Sequence, residues 1–276
     1  MSIKSIEGAR LTRREFTQTV ALGAAASSAP LGLRGAFAQE ERQPVVLVTG
    51  SSRGIGLEFA RQYAERGWSV IATARNLSAA DKLQVLAAAH SNITLETLDV
   101  LDHSQVDALA QKYKSQPIDI LVNNAGIGGG GSNQIFGKIN YEVFDDVMNI
   151  NVVGPLKVAE AFIDHVAASD YKKLVTITSG QGSITETRGL LYFYRASKSS
   201  VNMVMRSLSK DVANRGVIVV LTAPGATNTD FMDEVRGRIP LGPPEERVAG
   251  MIDVIDNFTM EKTGMFIEWD GRVMPW

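Results

Sequence analysis

The 276-residue chain contains no cysteine and only three histidines. Without cysteine it has no disulfide and no thiolate chemistry, although this absence leaves the compartment undecided. His90, His103 and His165 have no partners at metal-ligand spacing. We therefore expect no metal site, and we place each histidine on the surface of a helix.

The chain also carries little net charge, and that charge is unevenly distributed. The whole sequence is formally −2, whereas residues 1–38 hold five basic and two acidic side chains, which leaves −5 for the rest. A mildly acidic body argues against nucleic acid or an anionic membrane surface as the main partner. We expect a small-molecule partner, without stable membrane insertion, and leave a homo-oligomer open.

The basic first segment has the pattern of a twin-arginine export signal. Paired arginines in Thr12-Arg-Arg-Glu-Phe16 precede an uncharged stretch rich in Ala, Gly and Ser, which leads into Ala36-Phe-Ala38. Cleavage after Ala38 makes residues 1–38 the signal and residues 39–276 the catalytic domain, which predicts a periplasmic protein. The alternatives are a plain extension of a cytoplasmic protein or an uncleaved anchor, although Ala and Ser make a poor membrane span.

After the leader, short β-branched runs alternate with amphipathic stretches. The predicted strands are Val45–Thr49, Ser69–Ala74, Ile93–Leu98, Ile118–Val122, Leu174–Thr178 and Val217–Thr222. The predicted helices are Ile55–Arg66, Ala79–Ala89, Ser104–Tyr113, Tyr141–Ile150, Leu156–Ala168 and Leu191–Asn214. This alternation predicts an α/β fold of one domain, a doubly wound parallel sheet between two layers of helices. The irregular segment Asn228–Pro244 is long enough to be a lid.

A glycine cluster between the first strand and the first helix predicts a dinucleotide site. It reads Thr49-Gly-Ser-Ser-Arg-Gly-Ile-Gly56, and its candidate contacts are Gly50, Ser52, Arg53, Gly54, Ile55 and Gly56. Glycines allow a tight turn and a close approach of pyrophosphate to the helix N-terminus, whose free amides favour an anion. A plain strand-to-helix turn is the alternative.

Residues at the ends of the next strands suggest which dinucleotide is bound. Arg75 follows the second strand where an NAD-selective site would place an acid, so Arg75 and Arg53 together predict a 2′-phosphate and NADP(H). Both could instead be solvated surface arginines. Asp99, with Val100, could accept from the adenine amine or cap a helix.

The fourth strand is followed by Asn123-Asn-Ala-Gly126, whose small residues let the backbone lie close under the cofactor. Asn123, Ala125 and Gly126 are the candidates here, and an ordinary Asn-Gly turn is the alternative.

Tyr194 and Lys198 stand one helical turn apart in Tyr192-Phe-Tyr-Arg-Ala-Ser-Lys198. A phenol beside an ammonium can donate a proton near neutral pH.

Together these motifs resemble the short-chain dehydrogenase/reductase family over nearly all of residues 44–276. Five motifs agree in order and spacing: the glycine loop, Asn123 to Gly126, Asn149-Ile-Asn151-Val-Val-Gly154, the Tyr194–Lys198 pair, and Pro224-Gly225 with Thr229. The final residues, Gly264 to Trp276, are similar to the C-factor-like branch and the Sniffer-type carbonyl reductases. The resemblance implies an oxidoreductase that moves hydride between NADP(H) and a carbonyl or alcohol. A low-turnover signalling or sensor protein on the same fold is the alternative.

The resemblance also implies roles for four catalytic residues. Tyr194 would protonate the carbonyl oxygen, and lowering its pKa from near 10 to about 7 would take on the order of 4 kcal/mol, supplied by Lys198 and the oxidised nicotinamide. Lys198 would also hold the nicotinamide ribose. Ser179 would orient the substrate carbonyl, and Asn151 would kink a helix and hold a water linked to Lys198; a helix cap or buried polar anchor is its alternative.

Several alternatives remain at this site. Ser183 rivals Ser179 because Ser179 is farther from Tyr194 than the family spacing, Thr178 is a weaker candidate, and Tyr192 becomes the acid only if the register slips. The resemblance places Pro224, Gly225, Thr227 and Thr229 over the nicotinamide, and an ordinary loop turn is the alternative.

Overall fold

The described residues form a sheet of seven parallel strands. The strands are β1 (Val45–Val48), β2 (Ser69–Ala74), β3 (Ile93–Thr97), β4 (Ile120–Asn123), β5 (Lys173–Ile177), β6 (Ile218–Ala223) and β7 (Phe266–Glu268). Their spatial order is β3-β2-β1-β4-β5-β6-β7, so the direction of winding reverses between β1 and β4. The predicted doubly wound sheet is confirmed, and its reversal point is where such sheets bind ligands.

This computed structural model describes residues 42–276, apart from the side chains of residues 234 and 235. The predicted signal, residues 1–38, and its cleavage site lie outside the described residues. Within residues 42–276, no helix combines the length and apolar character needed to cross a membrane.

Helices cover both faces of the sheet. They are α1 (Gly54–Glu65), α2 (Asp81–Ala89), α3 (His103–Lys112), α4 (Phe144–Met148), α5 (Gly154–Ala167), α6 (Tyr192–Asp211) and α7 (Pro244–Asp256). Successive β1 residues point to opposite faces, with Val45 and Leu47 in one core and Val46 and Val48 in the other. The first core also contains side chains of α3, α5 and α6, and the second contains side chains of α1, α2 and α7. The result is the predicted three-layer sandwich.

The strand β7 and the helix α7 were not among the predicted elements. Since β7 is only three residues long, it gives no periodic signal in the sequence. Helix α7 begins directly after Pro243, with Pro244 as its first residue, and a proline pair favours a loop as readily as a helix start.

The predicted helices Tyr141–Ile150 and Leu156–Ala168 are joined by a π-helical turn, Asn149–Val153. Because a π turn adds a residue without ending the helix, α4 and α5 run into each other through it. Asn151 lies in this π-helical turn, and the helix kink that the resemblance implies for it stays a prediction.

His165 is buried, which corrects the prediction that all three histidines lie on helix surfaces. It lies in the last turn of α5 and is only 9% exposed, with Nε2 3.0 Å from the carbonyl oxygen of Ala110. Its ring also packs against Phe162 at 5.1 Å between centroids. Among residues 42–276, no group of three His, Asp or Glu side chains is arranged to hold a metal ion.

Candidate active site

The glycine loop between β1 and α1 packs closely against the end of β4. Gly50 has φ +69°, and a Cβ atom there would lie 2.9 Å from Cα of Ala125. A Cβ atom at Gly56 would lie 2.3 Å from the carbonyl oxygen of Gly50. Arg53, at the N-cap of α1, offers no side-chain acceptor to the first-turn amides. The loop therefore forms a cradle that only glycine permits, beside unpaired amides suited to an anion such as pyrophosphate.

Thr49 and Asn124 brace this cradle, and neither was among the predicted site residues. The Asn124 amide Nδ2 donates to the carbonyl oxygens of Thr49 (2.9 Å) and Gly50 (3.0 Å). In return, Oγ1 of Thr49 accepts from the backbone amides of Asn124 (3.0 Å) and Ala125 (3.1 Å). These bonds tie the loop after β1 to the loop after β4, across the reversal point of the sheet.

Unlike Asn124, Asn123 points its side chain toward α5 and away from the glycine loop. It is 2% exposed, and its amide donates to the carbonyl oxygen of Pro155 at 3.1 Å, which ties β4 to α5. Gly126 lies nearer two of the predicted catalytic residues, since a Cβ atom there would be 3.1 Å from Oδ1 of Asn151 and 3.7 Å from Nζ of Lys198. The contacts predicted between this segment and the cofactor remain predictions.

At the predicted adenosine end, Arg75 is exposed directly after β2. Asp99 accepts from the backbone amide of Leu101 at 3.0 Å, while α3 is capped instead by Asp102, which accepts from the backbone amide of Gln105 at 3.0 Å. The cap of α3 is therefore Asp102 and not Asp99. Val100 is buried.

Tyr194 and Lys198 lie side by side at the start of α6. They are 8% and 7% exposed, and Nζ of Lys198 is 5.8 Å from the centre of the Tyr194 ring. Nζ also donates to the carbonyl oxygen of Ile177, at the end of β5, at 3.0 Å. Burial raises the pKa of Tyr194 to about 12, although a hydrogen bond from Ser179 opposes this rise. Burial lowers the pKa of Lys198 to about 8.

These pKa directions show that the protein alone does not make Tyr194 acidic. The expected pKa of about 7 therefore requires stabilisation of the phenolate from outside the described residues. In the free protein, Tyr194 is a protonated phenol at neutral pH.

The surroundings of the candidate hydroxyls distinguish Ser179 from its rivals. Ser179 lies close enough to the Tyr194 phenol to lower its pKa against the effect of burial, and its Oγ accepts from the backbone amide of Gln181 at 3.2 Å. The Ser183 hydroxyl donates to the carbonyl oxygen of Trp276 and accepts from the backbone amide of Glu186, both at 3.1 Å. Thr178 donates to a buried asparagine on α6 at 2.6 Å. Of the three hydroxyls, that of Ser179 is the one the structure brings to Tyr194.

Asn151 holds the backbone that follows β4. Its Oδ1 accepts from the amide of Ile127 at 2.8 Å, and its Nδ2 donates to the carbonyl oxygen of Ile127 at 2.8 Å and to Oγ of Ser197 at 2.9 Å. This side chain is therefore a buried polar anchor between β4 and α6, as one alternative expected. The predicted water link to Lys198 remains a prediction.

The segment from Pro224 to Thr229 turns back over the start of α1. The Thr227 hydroxyl donates to the carbonyl oxygen of Pro224 at 3.0 Å, and Gly225 has φ +68°. A Cβ atom at Gly54 would lie 3.5 Å from the Thr229 side chain. The loop predicted to cover the nicotinamide thus approaches the glycine cradle.

The predicted lid is tied together at its base. Gly242 donates its amide to the carbonyl oxygen of Ala226 and accepts from the amide of Asn228, both at 2.8 Å. Between these points lies a 3-10 turn, Asp230–Val235, whose Asp230 is 3.7 Å from the guanidinium of Arg53. The lid therefore meets the glycine loop through an exposed ion pair.

An aromatic ring from the predicted lid packs against Tyr194. The Phe231 ring is 5.5 Å from that of Tyr194 between centroids, and a Cβ atom at Gly128 would lie 3.1 Å from Phe231 Cζ. Tyr192, the alternative acid, is instead 39% exposed and faces Phe136 at 6.3 Å. Tyr194 is therefore buried against an aromatic ring of the lid, whereas Tyr192 is exposed to solvent.

The family model for short chain dehydrogenase matches residues 44–239. The 1-hydroxy-2-glutathionyl-2-methyl-3-butene dehydrogenase of Rhodococcus sp. (strain AD45) is 34% identical over 235 residues, which covers 84% of this chain and 99% of that protein. The chain therefore belongs to the short-chain dehydrogenase family, an oxidoreductase family, as its motifs predicted.

Solved structures show the same likeness. The NADPH-bound carbonyl reductase from chicken fatty liver has a TM-score of 0.76 at 29% identity, and the match covers 85% of this chain and all of that one. The carbonyl reductase Sniffer of D. melanogaster has a TM-score of 0.75 at 26% identity, with the same coverage. The predicted likeness to Sniffer-type reductases is confirmed by this comparison.

Proposed function

We propose that the protein is an NADP(H)-dependent reductase of aldehydes or ketones, which also oxidises the corresponding alcohols. The observation that carries this proposal is the meeting of Tyr194, Lys198 and Ser179 beside the glycine cradle. Three elements bring them together: the end of β5, the first turns of α6 and the loop after β1. Substrate and nucleotide can therefore meet at one edge of the sheet.

Residues of the protein itself supply the proton that the carbonyl oxygen receives. Tyr194 has a pKa raised to about 12 by burial, so it remains protonated at neutral pH, as a proton donor must. Ser179 lies beside the same phenol, and the two hydroxyls form a pair that a carbonyl oxygen can accept from. Lys198, whose pKa burial lowers to about 8, supplies positive charge beside the phenol as the proton leaves.

The nicotinamide cofactor, when bound, supplies or accepts the hydride. The cradle of Gly50, Gly54 and Gly56, with Ser52 and Ile55, would hold its pyrophosphate, and Arg53 and Arg75 would bind a 2′-phosphate by charge-assisted hydrogen bonds. The likeness to an NADPH-bound carbonyl reductase supports this choice. Asp99 and Val100 would lie at the adenine, and Lys198 and Thr229 at the nicotinamide end.

The proposal is tested by following the oxidation of NADPH and NADH with a panel of aldehydes and ketones, for the unaltered protein and for Tyr194→Phe. Phenylalanine keeps the ring packing against Phe231 but removes the hydroxyl. We expect kcat to fall about a hundredfold to ten-thousandfold while the nucleotide dissociation constant changes little. Turnover retained in Tyr194→Phe would remove Tyr194 from the mechanism, and no turnover of any carbonyl by the unaltered protein would refute the reductase function.

A further inference from the structure

The helix that carries Tyr194 begins without a local cap. Leu191, at its N-cap, has φ +54° and no polar side chain, and Leu190 before it has φ +58°. Leucine adopts this left-handed conformation at a cost. The first-turn amides of a helix need acceptors, which a serine, threonine or aspartate at the N-cap would normally supply.

The missing acceptor comes from Gln134, which precedes Tyr194 by 60 residues. Its Oε1 accepts from the backbone amides of Phe193 and of Tyr194, both at 2.9 Å. These are the second and third residues of α6, the positions that an N-cap side chain serves. Gln134 is fully buried.

The other end of the same amide holds the loop that follows β4. Nε2 of Gln134 donates to the carbonyl oxygens of Gly128 (2.8 Å) and Gly130 (3.1 Å). These residues belong to a run of four glycines, residues 128–131, which has little conformational preference of its own. Gly128 also lies against Phe231 of the lid. One buried amide thus connects the acid, the glycine run and the wall of the site.

We propose that Gln134 is a positioning residue for the proton-donating Tyr194, an inference that rests on the proposed function. Because one of its bonds is made to the backbone amide of Tyr194 itself, loss of Gln134 lets the first turn of α6 move together with the phenol. A shift of about 1 Å in a reacting group can lower a rate about a hundredfold. Lys198 lies one turn deeper, where α6 makes its own backbone bonds, so the binding of nucleotide is affected less.

The test replaces Gln134 with methionine, which has similar length but no hydrogen-bonding amide, both in the unaltered protein and in Tyr194→Phe. We expect Gln134→Met to lower kcat tenfold or more, with KM and the NADPH dissociation constant within about threefold. In Tyr194→Phe the same change should lower the residual rate less than about threefold, because a residue that acts through Tyr194 has nothing left to position.

Asn133→Ala is the matched control. Asn133 donates to the carbonyl oxygen of Gly129 at 3.0 Å, so it contacts the same glycine run without reaching α6. Its kcat should remain within about twofold, in the range of ordinary surface changes. If Gln134→Met does not fold, Gln134→Asn takes its place, since a side chain one methylene shorter cannot reach α6 and the glycine run together.

A folded Gln134→Met with unchanged kcat would overturn the proposal. The same would follow if the loss were equally large in Tyr194→Phe, or if Asn133→Ala lost as much activity. These outcomes differ from failure of the proposed function, in which the unaltered protein would turn over no carbonyl compound, and from a mechanism without Tyr194, in which Tyr194→Phe would retain turnover.

Discussion

Lys198 is buried at a cost in free energy, so Lys198→Met is expected to stabilise the nucleotide-free protein while abolishing efficient turnover. Methionine matches the length of the lysine stem and carries no charge. The variant loses the positive charge beside Tyr194, and it also loses the hydrogen bond from Nζ to the carbonyl oxygen of Ile177. The two losses have opposite effects on stability.

The magnitude follows from the pKa of Lys198. Burial lowers this pKa from 10.5 to about 8, which corresponds to about 3 kcal/mol against the charged form in the folded state. The lost hydrogen bond offsets about 1 kcal/mol. Lys198→Met should therefore raise the free energy of unfolding at pH 7 by about 2 kcal/mol, or the melting temperature by about 4–8 °C for a domain of this size.

The pH dependence gives this prediction its signature. The folded pKa of Lys198 lies below the unfolded one, so the unfolded chain binds more protons between about pH 8 and 10.5. The stability of the unaltered protein consequently rises across this window relative to the variant. The advantage of Lys198→Met should be complete below about pH 8 and should shrink as the pH approaches 10.5.

Urea or thermal unfolding of both proteins at a series of pH values from 7 to 10.5 measures this difference. Lys210→Met is the control, because Lys210 is exposed in the last turn of the same helix, and surface changes usually stay within about 0.5 kcal/mol. A Lys198→Met protein that is less stable at pH 7, or whose advantage does not change with pH, would show that burial of this ammonium is not the dominant effect.

Two further predictions concern cofactor choice and export. Arg75→Asp should weaken NADPH binding about ten- to a hundredfold, roughly 1.5–3 kcal/mol, as measured by fluorescence titration; equal affinities of the unaltered protein for NADH and NADPH would contradict the 2′-phosphate site. We also propose that the protein is exported with its nucleotide already bound, since occupancy stabilises the folded form. Fractionation should then find a periplasmic species that begins near Gln39 and carries NADP(H), and Arg13→Lys with Arg14→Lys should retain the precursor inside. A full-length unaltered chain that stays soluble in the cytoplasm would refute export but not the reductase function.

The sequence was sufficient where the signal is local. Buried strands show as β-branched runs, and the spacing of Tyr194 and Lys198 places them one turn apart on α6. The glycine loop is also recognisable, because the close approach at Gly50 and Gly56 excludes any side chain.

Residues whose partners are distant in sequence could not be predicted in this way. Asn124 stands beside Asn123, and nothing in the doublet indicates which amide braces the glycine loop and which ties β4 to α5. Gln134 caps a helix that begins 58 residues later, so its role depends on the folded arrangement of two loops. The burial of His165 likewise depends on α3 packing against α5.

The lid is closed on itself by the two hydrogen bonds of Gly242 to Ala226 and Asn228. Residues 229–241 consequently form a module whose length and composition can change while the span between its ends stays the same. We therefore expect exchange of this segment to change substrate preference without moving Tyr194 or Lys198, because the turn made by Thr227 remains in place beneath it. The same clasp makes the segment a suitable insertion point for directed evolution of substrate range.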